Sequence, residues 1–167
     1  MDSTPAQGTV LQVNVKPEVP GQHGLPKIPT KEARVTTQGV AGDFNRYRHE
    51  DKRDDPNMAL LLVPVEILQQ LNREGWPVQP ADLGENVTTS GIPNHAFRIG
   101  QRVAIGPVLV TIAKPCDPCT NLFLLPYVGR EQGPKFLKTM VGRRGWYCRV
   151  LQEGTVRPGD VVRILGP

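Results

Sequence analysis

Two of the three cysteines in this 167-residue chain fall within six positions, in the stretch KPCDPCTNL at 114–122. Four kinds of behaviour suit a Cys116-x-x-Cys119 pair. It can hold half of a zinc site, exchange thiol for disulfide, present one reactive thiol beside an incidental neighbour, or simply pack at a strand end. A structural zinc needs four protein ligands, and the remaining Cys148, His23, His49 and His95 form no second paired cluster. Disulfide exchange favours a CxxC at a helix start inside a βαβ unit, whereas this one follows a strand-like run. In the single-thiol reading Pro118 restricts the backbone before Cys119, and Lys114, if it points the same way, favours a thiolate.

Three other stretches carry polar groups that apolar packing does not account for. Asp82-Leu83-Gly84-Glu85-Asn86 sets carboxylates and an amide beside a glycine whose backbone can approach a ligand. Gly39-Val40-Ala41-Gly42-Asp43 has the same character, and Arg149 follows Trp146 and Tyr147 in a strand-like run. Each also reads as ordinary turn or surface chemistry, since Asp and Asn in turns bond their own backbone. His49 and His95 sit among charged or turn residues and read as exposed. No Ser-His-Asp spacing, Walker loop or helix-opening GxGxxG is present.

The elements that must position these groups are mostly strands. Residues 8–15 alternate apolar and polar side chains, as do 98–106 and 108–114, which Gly106-Pro107 joins into a hairpin. The run 58–63, MALLLV, reads as a buried strand. Pro64 then opens a helix with Ile67, Leu68 and Leu71 on one face and Gly75 as its stop. Pro134 opens a second, with Phe136, Leu137, Met140 and Val141. The segments 145–154 and 160–166 close the chain as strands around Arg157-Pro158-Gly159. Residues 16–32 read as a loop, and 43–57 as a long charged one. With glycine and proline at 17 each, a chain of about seven short, mostly antiparallel strands and two helices fits a closed β-barrel better than a helical fold.

The length suits one domain, expected over 8–167 after a flexible 1–7. No apolar run approaches the ~20 residues of a membrane span, and the first residues, MDSTPAQG, show no signal-peptide pattern. With three cysteines, the expectation is a cytosolic protein with reduced thiols, not bound to membrane. The net charge of +4 is uneven. Residues 98–167 hold 11 basic and 4 acidic side chains, against 9 and 12 before them, which suits an anionic partner. The basic residues are not interleaved with aromatics, so nucleic acid is not expected.

Four segments in order, GVAGDFNRYRH (39–49), DLGENVTTSGI (82–92), PCDPCTNL (115–122) and GWYCRVLQEGTVRPGDVVRIL (145–165), resemble the MOSC domain, the module named after the C-terminal domain of molybdenum-cofactor sulfurases. The resemblance runs from about Gly8 onward and implies a single-domain, mostly β, distorted barrel with a few short helices. It puts the family's reactive cysteine on Cys119. A basic residue is common in the family at the position of Cys116, so a cysteine there removes a charge and suggests a Cys116–Cys119 redox pair. Two kinds of chemistry are implied: a Cys119 persulfide that carries sulfur for metal–sulfur cofactors, as a sulfurtransferase, or molybdopterin binding with the Cys119 thiolate on molybdenum, as in reductases of N-hydroxylated compounds. Under that resemblance Asp43, Gly84, Glu85, Asn86, Thr88, Lys114 and Arg149 are the candidate cofactor contacts. The domain would then rely on a pyridoxal-phosphate cysteine desulfurase for sulfur or on an electron-transfer protein for electrons. The contrasting expectation is a non-catalytic barrel that binds a protein or small anion.

Overall fold

The computed structural model describes residues 6–166. In chain order the strands are β1 (Gln7–Val15), β2 (Ile28–Thr30), β3 (Ala33–Thr36), β4 (Gly39–Val40), β5 (Leu60–Pro64) and β6 (Val87–Ser90). They continue with β7 (Arg102–Ile105), β8 (Val108–Pro115), β9 (Trp146–Gln152), β10 (Gly154–Val156) and β11 (Val161–Gly166). Three helices, α1 (Arg46–Lys52), α2 (Val65–Arg73) and α3 (Gly129–Met140), interrupt them.

Seven strands close a barrel in the order β11-β7-β8-β9-β5-β6-β1, with β1 pairing back onto β11 through Gln7–Arg163 and Thr9–Val161. Full closure removes the edges of the main sheet. Of the barrel's pairings only β5–β6 is parallel, because α2 carries the chain back across the sheet between them. β2 extends one end of β1, and β10-β3-β4 form a small separate sheet.

Two apolar clusters explain the sequence patterns. Val10, Val13, Leu60, Leu62, Val103, Ile105, Val110, Ile112, Cys148 and Val162 fill the barrel. Leu61, Val63, Ile67, Leu68, Leu71, Leu122, Phe136 and Met140 form a second core outside it, under α2 and α3. The run 58–63 is continuously apolar because β5 is buried on both faces.

Several expectations need correction. The charged stretch 43–57 holds α1, which Asn45 caps by accepting the Arg48 N–H and which buries no side chain. The helix expected from Pro134 begins at Gly129 and carries Pro134 inside it. The 16–32 loop contains β2, and β10 intervenes between the last two expected strands. Of the terminal segment 1–7, residues 1–5 lie outside the described ones, and Gln7 already belongs to β1. Among the described residues no helix is long and apolar enough to cross a membrane.

Candidate functional site

One end of the barrel opens into a cleft of about 670 Å³, walled by residues from 16–27, 44–52, 83–84, 114–124 and 144–147. Apart from α1, the walls are strand ends, turns and loops. Gly84 sits at φ +83, and a Cβ there would meet the Leu25 side chain at 2.8 Å. Gly145, at φ +95, presses on β5 so closely that a Cβ would stand 2.5 Å from Leu62 O. Its carbonyl accepts the Cys116 N–H at 2.9 Å. Gly145 therefore locks the Arg144 turn to the cysteine segment.

The three cysteines have separate fates, and all are free. Cys148 faces the barrel interior, where burial pushes its thiol up. Cys116 packs in the outer core beside Leu122 and Tyr147, and burial raises it too. Cys119 is exposed on the cleft wall, in extended backbone that caps the 3-10 turn Thr120–Leu124. Among the described residues no group of three or more His, Cys, Asp or Glu side chains is arranged to hold a metal.

Arg144 organises the ground around that exposed sulfur. Its Nη1 donates to Cys119 Sγ at 3.6 Å and to Asp117 O at 3.4 Å, while Nε and Nη2 both donate to Leu83 O, at 3.2 and 3.0 Å. Carbonyls and sulfur engage four of the guanidinium's five N–H donors, with no carboxylate among its partners in the described residues, although Arg144 is only 6% exposed. Lys16, 7% exposed, is alike: its ammonium donates to Gln22 Oε1 at 2.7 Å and Pro17 O at 3.3 Å. Lys27 in the same wall is paired, donating to both oxygens of Asp43 at 2.6 and 2.7 Å. Burying a cation without a carboxylate is costly, and two such cations share this cleft.

The structure divides the residues singled out in the sequence. Cys119, Lys114 and Gly84 line the cleft, with Lys114 Nζ 3.4 Å from Asp55 Oδ2. Asp43 and Asn86 stand behind it, lining a neighbouring cavity of about 200 Å³ that shares Asn45, Met58, Leu61 and Tyr147 with the cleft. Asn86 is a clasp. Its Oδ1 accepts the Leu61 N–H at 3.0 Å, and its Nδ2 donates to Asp43 Oδ2 at 2.9 Å and to Asn14 O at 3.4 Å. Glu85 and Thr88 are fully buried and bonded to each other at 3.0 Å, and neither is among the residues that line the cleft. Arg149 stands apart on the exposed side of β9, donating to Asn57 Oδ1 at 3.3 Å.

Lys16, Lys27 and Arg144 were not singled out from the sequence. The available signal was weak: Lys16 lies just past a predicted strand, Arg144 just before a turn glycine, and Lys27 within a stretch that reads as loop.

Comparison with known proteins agrees with this architecture. Over nearly its full length the fold matches YuaD from Bacillus subtilis, with a TM-score of 0.78, 17% identity, and 96% of this chain and 97% of that one covered. YiiM from Geobacillus stearothermophilus matches with a TM-score of 0.70 and 25% identity, over 95% of this chain and 75% of that one. In sequence, the chain is 33% identical over 114 residues to the "Uncharacterized protein YflK" of Bacillus subtilis (strain 168), covering 66% of this chain. It spans about half of that relative's length, 49%. The family model described as "MOSC domain" matches residues 47–163, which include Asn86, the Cys119 segment and Arg144. With closed barrel, cysteine segment and family model in agreement, this chain belongs to the MOSC domain family.

Proposed function

We propose that the cleft binds molybdenum cofactor, with the Cys119 sulfur as its soft protein ligand. The observation that carries this reading is an exposed thiol in a cleft with two buried cations, Lys16 and Arg144, whose charged groups meet no carboxylate among the described residues. The residues present fit the group. A pterin phosphate matches Lys16 and Arg144 by charge, and a deprotonated thiol suits a transition metal. When bound, the cofactor would supply two-electron redox chemistry, such as reduction of N-hydroxylated compounds. The chain's own contribution is to hold the anion, to aim Sγ into the cleft through the Arg144 hydrogen bond, and to keep Cys148 out of the cleft by burying it in the barrel. Electrons would come from a separate electron-transfer protein in the cytosol.

The test is metal and pterin analysis of protein made in a cofactor-competent host. Wild type is expected to retain both, and Cys119→Ala to lose molybdenum. Absence of both from wild type would sink the reading.

A second reading is favoured by the exposure of Cys119 Sγ next to a cation. The thiol then carries sulfur as a persulfide, whose terminal anion Arg144 stabilises. Loading of wild type but not Cys119→Ala by a pyridoxal-phosphate cysteine desulfurase with cysteine is the expected result.

A further inference from the structure

Arg144 has five N–H donors. Four are engaged, by Leu83 O twice, Asp117 O and Cys119 Sγ, and the second Nη2 donor has no partner among the described residues. The nearby carboxylates do not neutralise this guanidinium. Asp43 is spent on Lys27, and Glu18 lies 3.5 Å from Arg46. Asp117 directs its carbonyl, not its carboxylate, to Arg144. Lys16 adds a second buried cation without a carboxylate to the same cleft. An exposed thiol, an incompletely used planar donor set and an ammonium on one cleft suit a particular reaction partner. It is a small dianion with its reacting atom next to an oxyanion group.

We propose that Cys119 takes sulfur from an anionic sulfane-sulfur donor of the thiosulfate class, with Arg144 binding the oxyanion that departs. The proposal rests on the reading of Cys119 as a sulfur carrier and names its donor. The Cys119 thiolate attacks the outer sulfur of thiosulfate, and a new S–S bond forms at Sγ. The bond from the outer sulfur to the sulfonate sulfur breaks, and its electron pair leaves on sulfite. The products are a Cys119 persulfide anion and sulfite, so charge balances and no external oxidant or reductant is required. Arg144 holds the developing sulfite while Nη1 stays within reach of the sulfur to which the chain is now bonded. Cyanide then removes the outer sulfur as thiocyanate and restores the thiolate.

The experiment uses the reduced full chain and thiosulfate. Wild type is expected to release one equivalent of sulfite, gain the mass of one sulfur on the peptide bearing Cys119, and form thiocyanate when cyanide is added. Cys119→Ala does none of these. Arg144→Met slows sulfite release by about tenfold or more, the scale of one charge-assisted hydrogen bond, and Arg144→Lys restores part of the rate, keeping charge without the fork. A second measurement separates anion recruitment from folding and from thiol ionisation. The ratio of alkylation by iodoacetate to that by uncharged iodoacetamide cancels the thiolate fraction, and it is expected to fall in Arg144→Met. An unchanged ratio and an unchanged sulfite rate would overturn the role of Arg144. If thiosulfate leaves wild type unmodified while a desulfurase loads Cys119, the donor assignment falls and the carrier reading stands. If neither loads it, both fall.

Discussion

Glu85 shows how a residue that looks functional in sequence becomes a liability of the fold. Its side chain is fully buried, accepts one hydrogen bond from Thr88 Oγ1 at Oε2, and leaves Oε1 without a partner. Burial, the dominant influence, raises its carboxyl above the ordinary range, opposed by hydrogen bonds that include Thr88. The folded chain therefore keeps a proton that the unfolded chain releases above about pH 4.3. The contribution of Glu85 to stability is fully present below that value and is lost as pH rises toward the raised folded value, with a slope of about 1.4 kcal/mol per pH unit for one proton. In Glu85→Gln that proton is no longer linked to folding. Urea melts at several pH values between 5 and 7 are expected to show a flatter dependence in the variant. Parallel curves would refute a carboxyl held neutral by burial. Sequence placed Glu85 beside a glycine, which suits a ligand turn and a buried strand entry equally well. Only the fold shows that the side chain points into the protein.

At the scale of elements, the legible parts were those with local periodicity. The β7–β8 hairpin, β1 and α2 follow from alternation or from an apolar stripe ended by a turn residue. α1 was illegible because RYRHEDK buries nothing, so no apolar stripe marks it and only the Asn45 cap could. α3 was misplaced because Pro134 resembles a first-turn residue, whereas here it sits inside the helix. The cysteine segment was legible as chemistry, yet its cation was not. Arg144 reaches Cys119 from the residue before Gly145, which has positive φ and presses against β5. Gly145→Ala forces a side chain into positive φ and against Leu62 O. It is expected to lower stability by at least about 1–3 kcal/mol and to disturb the Arg144–Cys119 contact. The urea midpoint checks the first effect, and the iodoacetate to iodoacetamide ratio checks the second. A variant with wild-type values for both would show that this turn is not the latch.

The molecule as a whole is held by pairings that no local pattern contains. The parallel β5–β6 ladder and the β1–β11 closure join strands far apart in sequence, so a strand count and a composition rich in turns implied a barrel without its order. The closure has a consequence for how the chain can be rewired. Ala6 O accepts the Ile164 N–H at 3.0 Å, so the two ends of the described chain lie side by side. A short linker can join them, and the ring can be reopened at Arg53 and Asp54, an exposed corner outside every ladder where both residues have positive φ. Such a circular permutant keeps all seven barrel strands in register while freeing one end of α1 from its anchor. It is expected to unfold in one cooperative transition with a wild-type far-UV spectrum. Loss of that transition would mean that the covalent link between α1 and β5, and not strand pairing alone, holds the barrel shut.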